Sequence, residues 1–151
     1  MRRSVIALTL LLATAAPASA QSFKRGIGVI FGDPTGINFK YHIDPTNAID
    51  AAAAWSLSGN KHLHLQADYL FHNYNPIKVS KGRLPVYYGI GGRVVLREDK
   101  KDLWGIRIPL GLDYYFSGAP FDIFAAIVPV IEVLPDTDFD IEGSIGFRFW
   151  F

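Results

Sequence analysis

Residues 139–151 read Phe-Asp-Ile-Glu-Gly-Ser-Ile-Gly-Phe-Arg-Phe-Trp-Phe. Strand side chains alternate with period two, so Phe139, Ile141, Gly143, Ile145, Phe147, Phe149 and Phe151 share one face. Asp140, Glu142, Ser144, Gly146, Arg148 and Trp150 share the other. In a water-soluble strand such a run of outward Phe side chains would invite aggregation. In an outer membrane it is the expected face, because each strand of a transmembrane barrel points apolar side chains to lipid and polar ones inward. The stretch therefore predicts a lipid-facing strand. Ile145, Phe147, Phe149 and Phe151 are its expected assembly signal, read by a barrel-assembly machinery.

The amino-terminal segment predicts the same compartment. Arg2 and Arg3 precede an apolar run from Val5 to Leu12, and Ala18-Ser19-Ala20 offers a small-residue cleavage site. Residues 1–20 are thus expected to be a signal peptide and residues 21–151 the mature domain. The apolar run is too short to cross a bilayer as a helix. The mature segment is of single-domain size. A net charge of +1 and the lack of a long Lys/Arg run argue against nucleic acid as a partner. Arg97 to Lys101 mixes bases with acids between two strands and reads as a solvated turn. There are no cysteines, which removes thiolate zinc sites, iron–sulfur clusters and disulfide scaffolds. A closed barrel supplies the missing stabilisation, since every backbone group pairs and no edge remains.

Eight strands are predicted, at 23–31, 37–43, 49–57, 62–74, 85–97, 104–116, 121–133 and 139–151, with no sustained helical period between them. They are parted by turn chemistry at Gly32–Gly36, Asp44–Asn47, Ser58–Lys61, Ser117–Pro120 and Pro135–Asp138. The longest connection, Asn75 to Arg83, is basic and contains Pro76. Segments of about 9–11 residues, tilted, cross a hydrocarbon band of roughly 25 Å, and eight is the smallest strand number of such barrels. Phe23, Phe31, Tyr41, Trp55, Trp104, Tyr114, Phe116, Phe147 and Phe149 lie outward near strand ends, as in the aromatic girdles of a membrane barrel. A lipocalin-like barrel would show the same alternation with its apolar side inward; the aromatic strand ends favour the membrane reading. Two prolines disturb the pattern. Pro129 predicts a bulge or the end of regular pairing in the seventh strand, and Pro109 raises the same question in the sixth.

The inward positions carry Lys24, Lys40, Arg93, Arg97, Arg107 and Arg148 against Asp50, Asp68, Asp113, Asp122, Glu132, Asp140 and Glu142. An eight-stranded barrel is just wide enough for side chains to fill, and buried charges are tolerable only when paired. A nearly neutral network across the lumen is expected, with inward glycines such as Gly91, Gly111 and Gly146 making room for it. His62, His64 and His72 share a strand face with Asp68 and are weak candidates for a transition metal. However, His62 and His64 stand about 6.6–6.8 Å apart along the strand, and only His42 offers a further ligand, so no metal or cofactor is expected. Ser56, Ser144, His64 and Glu142 supply the residue types of a hydrolase without a spacing that singles out a nucleophile. Gly26-Ile27-Gly28 and Gly89-Ile90-Gly91-Gly92 lie inside strands, whereas a phosphate loop must open a helix.

Gly32-Asp33-Pro34-Thr35-Gly36, Asn47-Ala48-Ile49-Asp50, Leu84 to Arg93, Arg107-Ile108-Pro109-Leu110-Gly111 and Ile145 to Phe151 are similar to motifs of a family of short outer-membrane barrels of unknown function. That family resembles the OmpA transmembrane domain. The resemblance covers the mature chain. It implies an eight-stranded barrel and carries over no catalytic residue. The chain departs from the OmpA pattern in having short turns on both sides and in having no peptidoglycan-binding domain expected beyond Phe151.

The expected protein is therefore all-β: a single eight-stranded antiparallel up-and-down transmembrane barrel of the bacterial outer membrane, monomeric and non-enzymatic. Its expected role is structural or in contact with outer-membrane lipid and envelope partners. The alternatives are an enzyme of the lipid A acyl hydrolase or transferase type and a narrow porin-like pore. With both termini periplasmic, the connection at 75–83 is also periplasmic, and the turns near Gly32, Ser58, Lys100 and Asp136 face the exterior.

Overall fold

A computed structural model describes residues 24–56 and 62–151. The expected signal peptide, Phe23, Leu57 and the 58–61 turn lie outside the described residues. The described chain folds into nine strands: β1 Arg25–Gly32, β2 Gly36–His42, β3 Asn47–Ser56, β4 His62–Asn73, β5 Val86–Arg97, β6 Leu103–Arg107, β7 Leu110–Tyr115, β8 Phe121–Leu134 and β9 Asp138–Trp150. All pairings are antiparallel. Successive strands pair from β1 to β5, β5 pairs with both β6 and β7, both of these pair with β8, and β8 pairs with β9. β9 then pairs with β1, from Gly26 opposite Trp150 to Gly32 opposite Ser144. The ring is closed. Nine strands occupy eight places in it.

The extra strand arises because the expected sixth strand is interrupted at Ile108-Pro109. Directly bonded antiparallel partners exchange two hydrogen bonds, and a proline nitrogen can give none. Gly89 N–H donates to the Pro109 carbonyl and Ile108 N–H to the Pro129 carbonyl, each at 3.0 Å. Each proline thus accepts one bond and omits the other, and the two omissions fall side by side. No slip results. Arg107 lies opposite Val130 and Leu110 opposite Ile127, the same register on either side of the gap.

The expected end of pairing at Pro129 is not observed. β8 runs unbroken through it, with Pro129 opposite Ile141 in β9. The register shift falls instead at Trp104/Gly105, whose partners are Leu134 and Glu132, leaving Val133 as the extra residue. Pro129 is tolerated because its one missing donor faces the neighbouring strand already interrupted at Pro109.

The sidedness of the ring is inverted relative to a water-soluble domain. Outward Ile90, Ile127, Ile141 and Ile145 are each about 60% exposed, while inward Lys40, Asp113 and Asp122 are fully buried. The apolar residues that do form a buried cluster, Ile30, Ala52 and Phe124, are few. The start of β1, the end of β9 and the connections after β2, β4 and β7 lie at one end of the ring, its terminal end; the connections after β1, β5 and β8 lie at the other. At the terminal end the turn after β2 is built by Asp44, whose Oδ1 accepts the Thr46 and Asn47 N–H groups at 2.8 Å. These bonds hold the Asp44 carboxyl below the usual carboxylate range. The connection after β4 ends by prolonging the sheet: Arg83 and Tyr115 exchange backbone bonds of 3.0 and 2.8 Å.

Candidate functional site: the charged interior

Alternation places the ionisable residues of every strand inside the ring, and the register then decides which of them meet. Arg148 in β9 reaches the greatest number. Its guanidinium donates to Asp122 and Asp113 at 2.6 and 2.9 Å and to Asp50 at 2.9 Å, with Asn38 Oδ1 at 3.1 Å. Its flat face lies 4.1 Å from the centre of the Phe124 ring. Arginine suits this position because its fork of five donors can serve several carboxylates at fixed angles. Asp122 also accepts from the Trp150 indole at 2.9 Å, and Asp50 from the Asn38 amide at 2.6 Å. Lys40 pairs with Asp113 and lies against the Tyr87 ring.

A second group lies further from the termini. Arg107 pairs with Asp68, its Nε 3.0 Å from Oδ1, and with Glu142. Arg93 pairs with Glu142 and Glu132 and approaches Asp140 at 3.4 Å. Glu142 in β9 thereby joins two arginines from the neighbouring strands β5 and β6. Gly91 is needed for this arrangement, since a Cβ there would run into the Asp68 carboxylate. Between the two groups lies a void of about 30 Å³ lined in part by Asn38, Asp50, Gln66, Asp68 and Arg107. That is room for a water or two.

Two expected members of the network stand apart. Lys24 is exposed at the terminal end, and Arg97 donates through Nε to the Lys101 carbonyl at 2.9 Å within the turn after β5. The expected near-neutrality is corrected accordingly. Lys24 precedes β1 and Arg97 is the last paired residue of β5, opposite His62; at these ends of the ring inward parity no longer means burial. On the acidic side Asp140 also reaches solvent, its side chain 47% exposed.

The histidine face does not assemble into a cluster, and the described residues contain no group of His, Asp and Glu placed to hold a metal ion. His62 is exposed and His64 meets Gln66 at 3.0 Å. His72 lies 3.2 Å from the Thr46 carbonyl through Nδ1 and 2.7 Å from Lys40 through Nε2. A carbonyl only accepts, so Nδ1 donates to it, while Nε2 faces both the Lys40 ammonium group and Asp113 Oδ2, the latter at 3.1 Å. Ser144 makes no hydrogen bond to His64 or Glu142 among the described residues, and the side chain of Ser56 is not among them.

Sequence reading passed over Tyr115 and Asn38, as well as the indole of Trp150. All three occupy inward positions of their strands. The signal was the same parity that singled out the charges, extended to neutral side chains with a polar end. Tyr115 is the most informative of them, because its hydroxyl donates to Asp113 at 3.2 Å and lies 2.8 Å from His42 Nε2.

No protein-family model and no curated protein matches the sequence. Among solved structures, the chain is similar to the N-terminal β-barrel domain of Pseudomonas aeruginosa OprF, with a TM-score of 0.60 and 15% sequence identity over 85% of this chain and 97% of that one. The likeness is one of fold, an antiparallel β-barrel, and it accords with the resemblance to OmpA-type transmembrane barrels carried by the strand motifs.

Proposed function

We propose that the protein is an integral outer-membrane barrel with a side-chain-filled interior, acting as a structural element or in contact with lipid and envelope partners. The observation that carries this reading is the inverted sidedness: a continuous outer belt of Ile, Leu, Val and aromatic residues around an interior of paired charges. Water would penalise that belt, whereas lipid is its proper solvent. A lipocalin-like protein has its apolar side inward, opposite to this facing. The closed ring removes the edge strands that hydrocarbon cannot satisfy. Outer-membrane lipid is then the first partner. The outward Ile145, Phe147 and Phe149 of β9, continued by Phe151, are the surface offered to an assembly machinery.

The interior supports a scaffold over a pore or an enzyme. Arg148, Glu142, Lys40 and Asp113 point into the interior and are nearly or fully buried, and each is engaged by a charged partner. A monomer is expected, since closure leaves no strand to share. The test is fractionation of expressing cells combined with migration of boiled and unboiled samples on a denaturing gel. The expected result is a membrane-bound protein whose mobility shifts on boiling; recovery in the soluble periplasmic fraction with no shift would overturn the reading. Planar bilayers should show no discrete conductance steps, and lipid A of overexpressing cells should remain unchanged.

A further inference from the structure

The two ends of the ring carry opposite charge. Away from the termini the exposed ionisable side chains are mostly acids: Asp33, Glu98, Asp99, Asp102, Asp136 and Asp138 stand against Lys100 and Lys101 among the described residues. At the terminal end the exposed cations are Lys24, Arg25, Lys78, Lys81 and Arg83, and none belongs to an ion pair among the described residues. Asp44 is the exposed acid there, and its carboxylate is already engaged by the Thr46 and Asn47 N–H groups. Arg83 lies over the rings of Tyr115 and Tyr74, and with His42 it borders a vestibule at the mouth of the ring.

Two of the other cations are fixed on the outer rim. Arg25 shares the outward parity of Ile27 and Val29. Its backbone exchanges bonds of 3.3 and 2.8 Å with Phe151, and Tyr41 stands opposite it in β2. The Arg25 side chain therefore leaves the outer face between the positions of Phe151 and Tyr41. Lys81 is held beside β7: its carbonyl accepts from the Tyr114 hydroxyl at 3.1 Å, and Gly82, with φ of +74°, lies so close to the Tyr115 carbonyl that a side chain there would collide. Tyr114 packs edge-on against Phe116, with ring centres 4.9 Å apart. Further round, Phe121 stacks on Phe147 and lies against Phe149, at 5.1 and 5.4 Å between centres. From β7 to β2 the outer rim at this end is thus an aromatic band, with Lys81 at one side of it and Arg25 at the other.

We infer that this sector of the rim binds anionic phospholipid headgroups of the leaflet at the terminal end. A cation on a lipid-facing surface reaches out of the hydrocarbon to the interface, where amphipathic aromatic rings also settle. There a lipid phosphate supplies the negative charge that no described carboxylate brings to Arg25 or Lys81. The aromatic band decides between a lipid and a free anion. An anion held by these two cations lies directly beyond rings that need apolar surroundings, and only a headgroup carrying acyl chains satisfies both. Lys24 and Lys78 add to the positive field at this end, whereas the acidic opposite end repels such lipids. The inference rests on the membrane reading and adds to it a lipid class and a place.

The experiment is electron spin resonance of the full chain reconstituted in phosphatidylcholine vesicles that contain a trace of spin-labelled phosphatidylglycerol or spin-labelled phosphatidylcholine. The motionally restricted signal reports lipid held at the protein surface. Phosphatidylglycerol should be enriched there about threefold over phosphatidylcholine in dilute buffer, and the enrichment should vanish in about 1 M salt, where exposed charges are screened. Arg25→Gln combined with Lys81→Gln should remove most of the enrichment, and Arg25→Lys should keep it. Glu98→Gln combined with Asp99→Asn, at the acidic end, should not lower it. Replacing chloride by inorganic phosphate at equal ionic strength should not displace the lipid. Each variant is first checked for the boiled-versus-unboiled mobility shift, so that loss of folding is not read as loss of binding. Equal association of the two lipids with the folded protein, an enrichment that survives in the folded double Gln variant or in high salt, an equal loss in the acidic-end variant, or displacement by inorganic phosphate would each overturn the assignment. Fractionation of cells tests the membrane reading independently.

Discussion

Arg148 shows how much one inward side chain can hold together. It lies among Asp50, Asp113 and Asp122 and is nearly fully buried, as are the latter two carboxylates. Removing one member of a buried charged group costs more than the group contributes, because the remaining charges lose their compensation. Arg148→Met, which keeps most of the apolar stem, should destabilise the protein by about 3–5 kcal/mol. Urea unfolding in micelles measures this, and a loss below about 1 kcal/mol would show that water or Lys40 replaces the guanidinium. Asp44 acts at the opposite extreme of exposure, by organising a turn. Its carboxyl is held below the ordinary value of 3.8 by the Thr46 and Asn47 N–H groups. A depressed carboxylate stabilises the fold fully above its unfolded value, and that stabilisation is lost as pH falls through the lower folded value. The stability gap between the native chain and Asp44→Ala should therefore be constant above about pH 5 and narrow below about pH 4. A gap unchanged down to about pH 2 would remove the charge from the explanation.

At the scale of the element, the interrupted sixth place in the ring is the main departure from the sequence pattern. Its outward face, Trp104, Ile106, Ile108, Leu110, Leu112 and Tyr114, alternates without a fault, and so does its burial. Periodicity reports facing and is blind to the backbone donors. Pro109→Ala supplies an N–H opposite the Gly89 carbonyl and should join β6 to β7. Amide hydrogen exchange would then find the residue 109 amide protected to the same degree as that of Gly111. Fast exchange there would mean that the gap is imposed by Pro129 across the ladder. Stability should change by less than about 1 kcal/mol, since the added bond offsets the lost rigidity of proline in the unfolded chain.

For the molecule as a whole, the outer belt makes a graded prediction that only lipid produces. Ile127 lies near the middle of β8 and Val133 near its end, both outward and exposed. In bilayers, Ile127→Lys should cost about 2–4 kcal/mol and Val133→Lys about 0–1 kcal/mol, because the penalty for a cation falls from the mid-plane to the interface. Equal and small effects at both sites, as on a water-exposed surface, would contradict a membrane-spanning ring.

The amino-acid order by itself determined which residues face outward and which face inward, from Phe139 through Arg148 and in every other described strand. Facing follows from a local rule, the two-residue period of extended chain, and the belt and the charged interior could be read from that rule alone. Only the tertiary structure decided the partners: that Glu142 joins Arg93 to Arg107, that His72 serves Lys40, and that Tyr115 links His42 to Asp113. It also decided that the two prolines fall on adjacent rungs of the ladder, with Pro129 opposite Ile108, and that Arg83 and His42 border one vestibule. Those relations depend on the register around a closed ring, which brings together residues far apart in the chain. No local pattern carries that information.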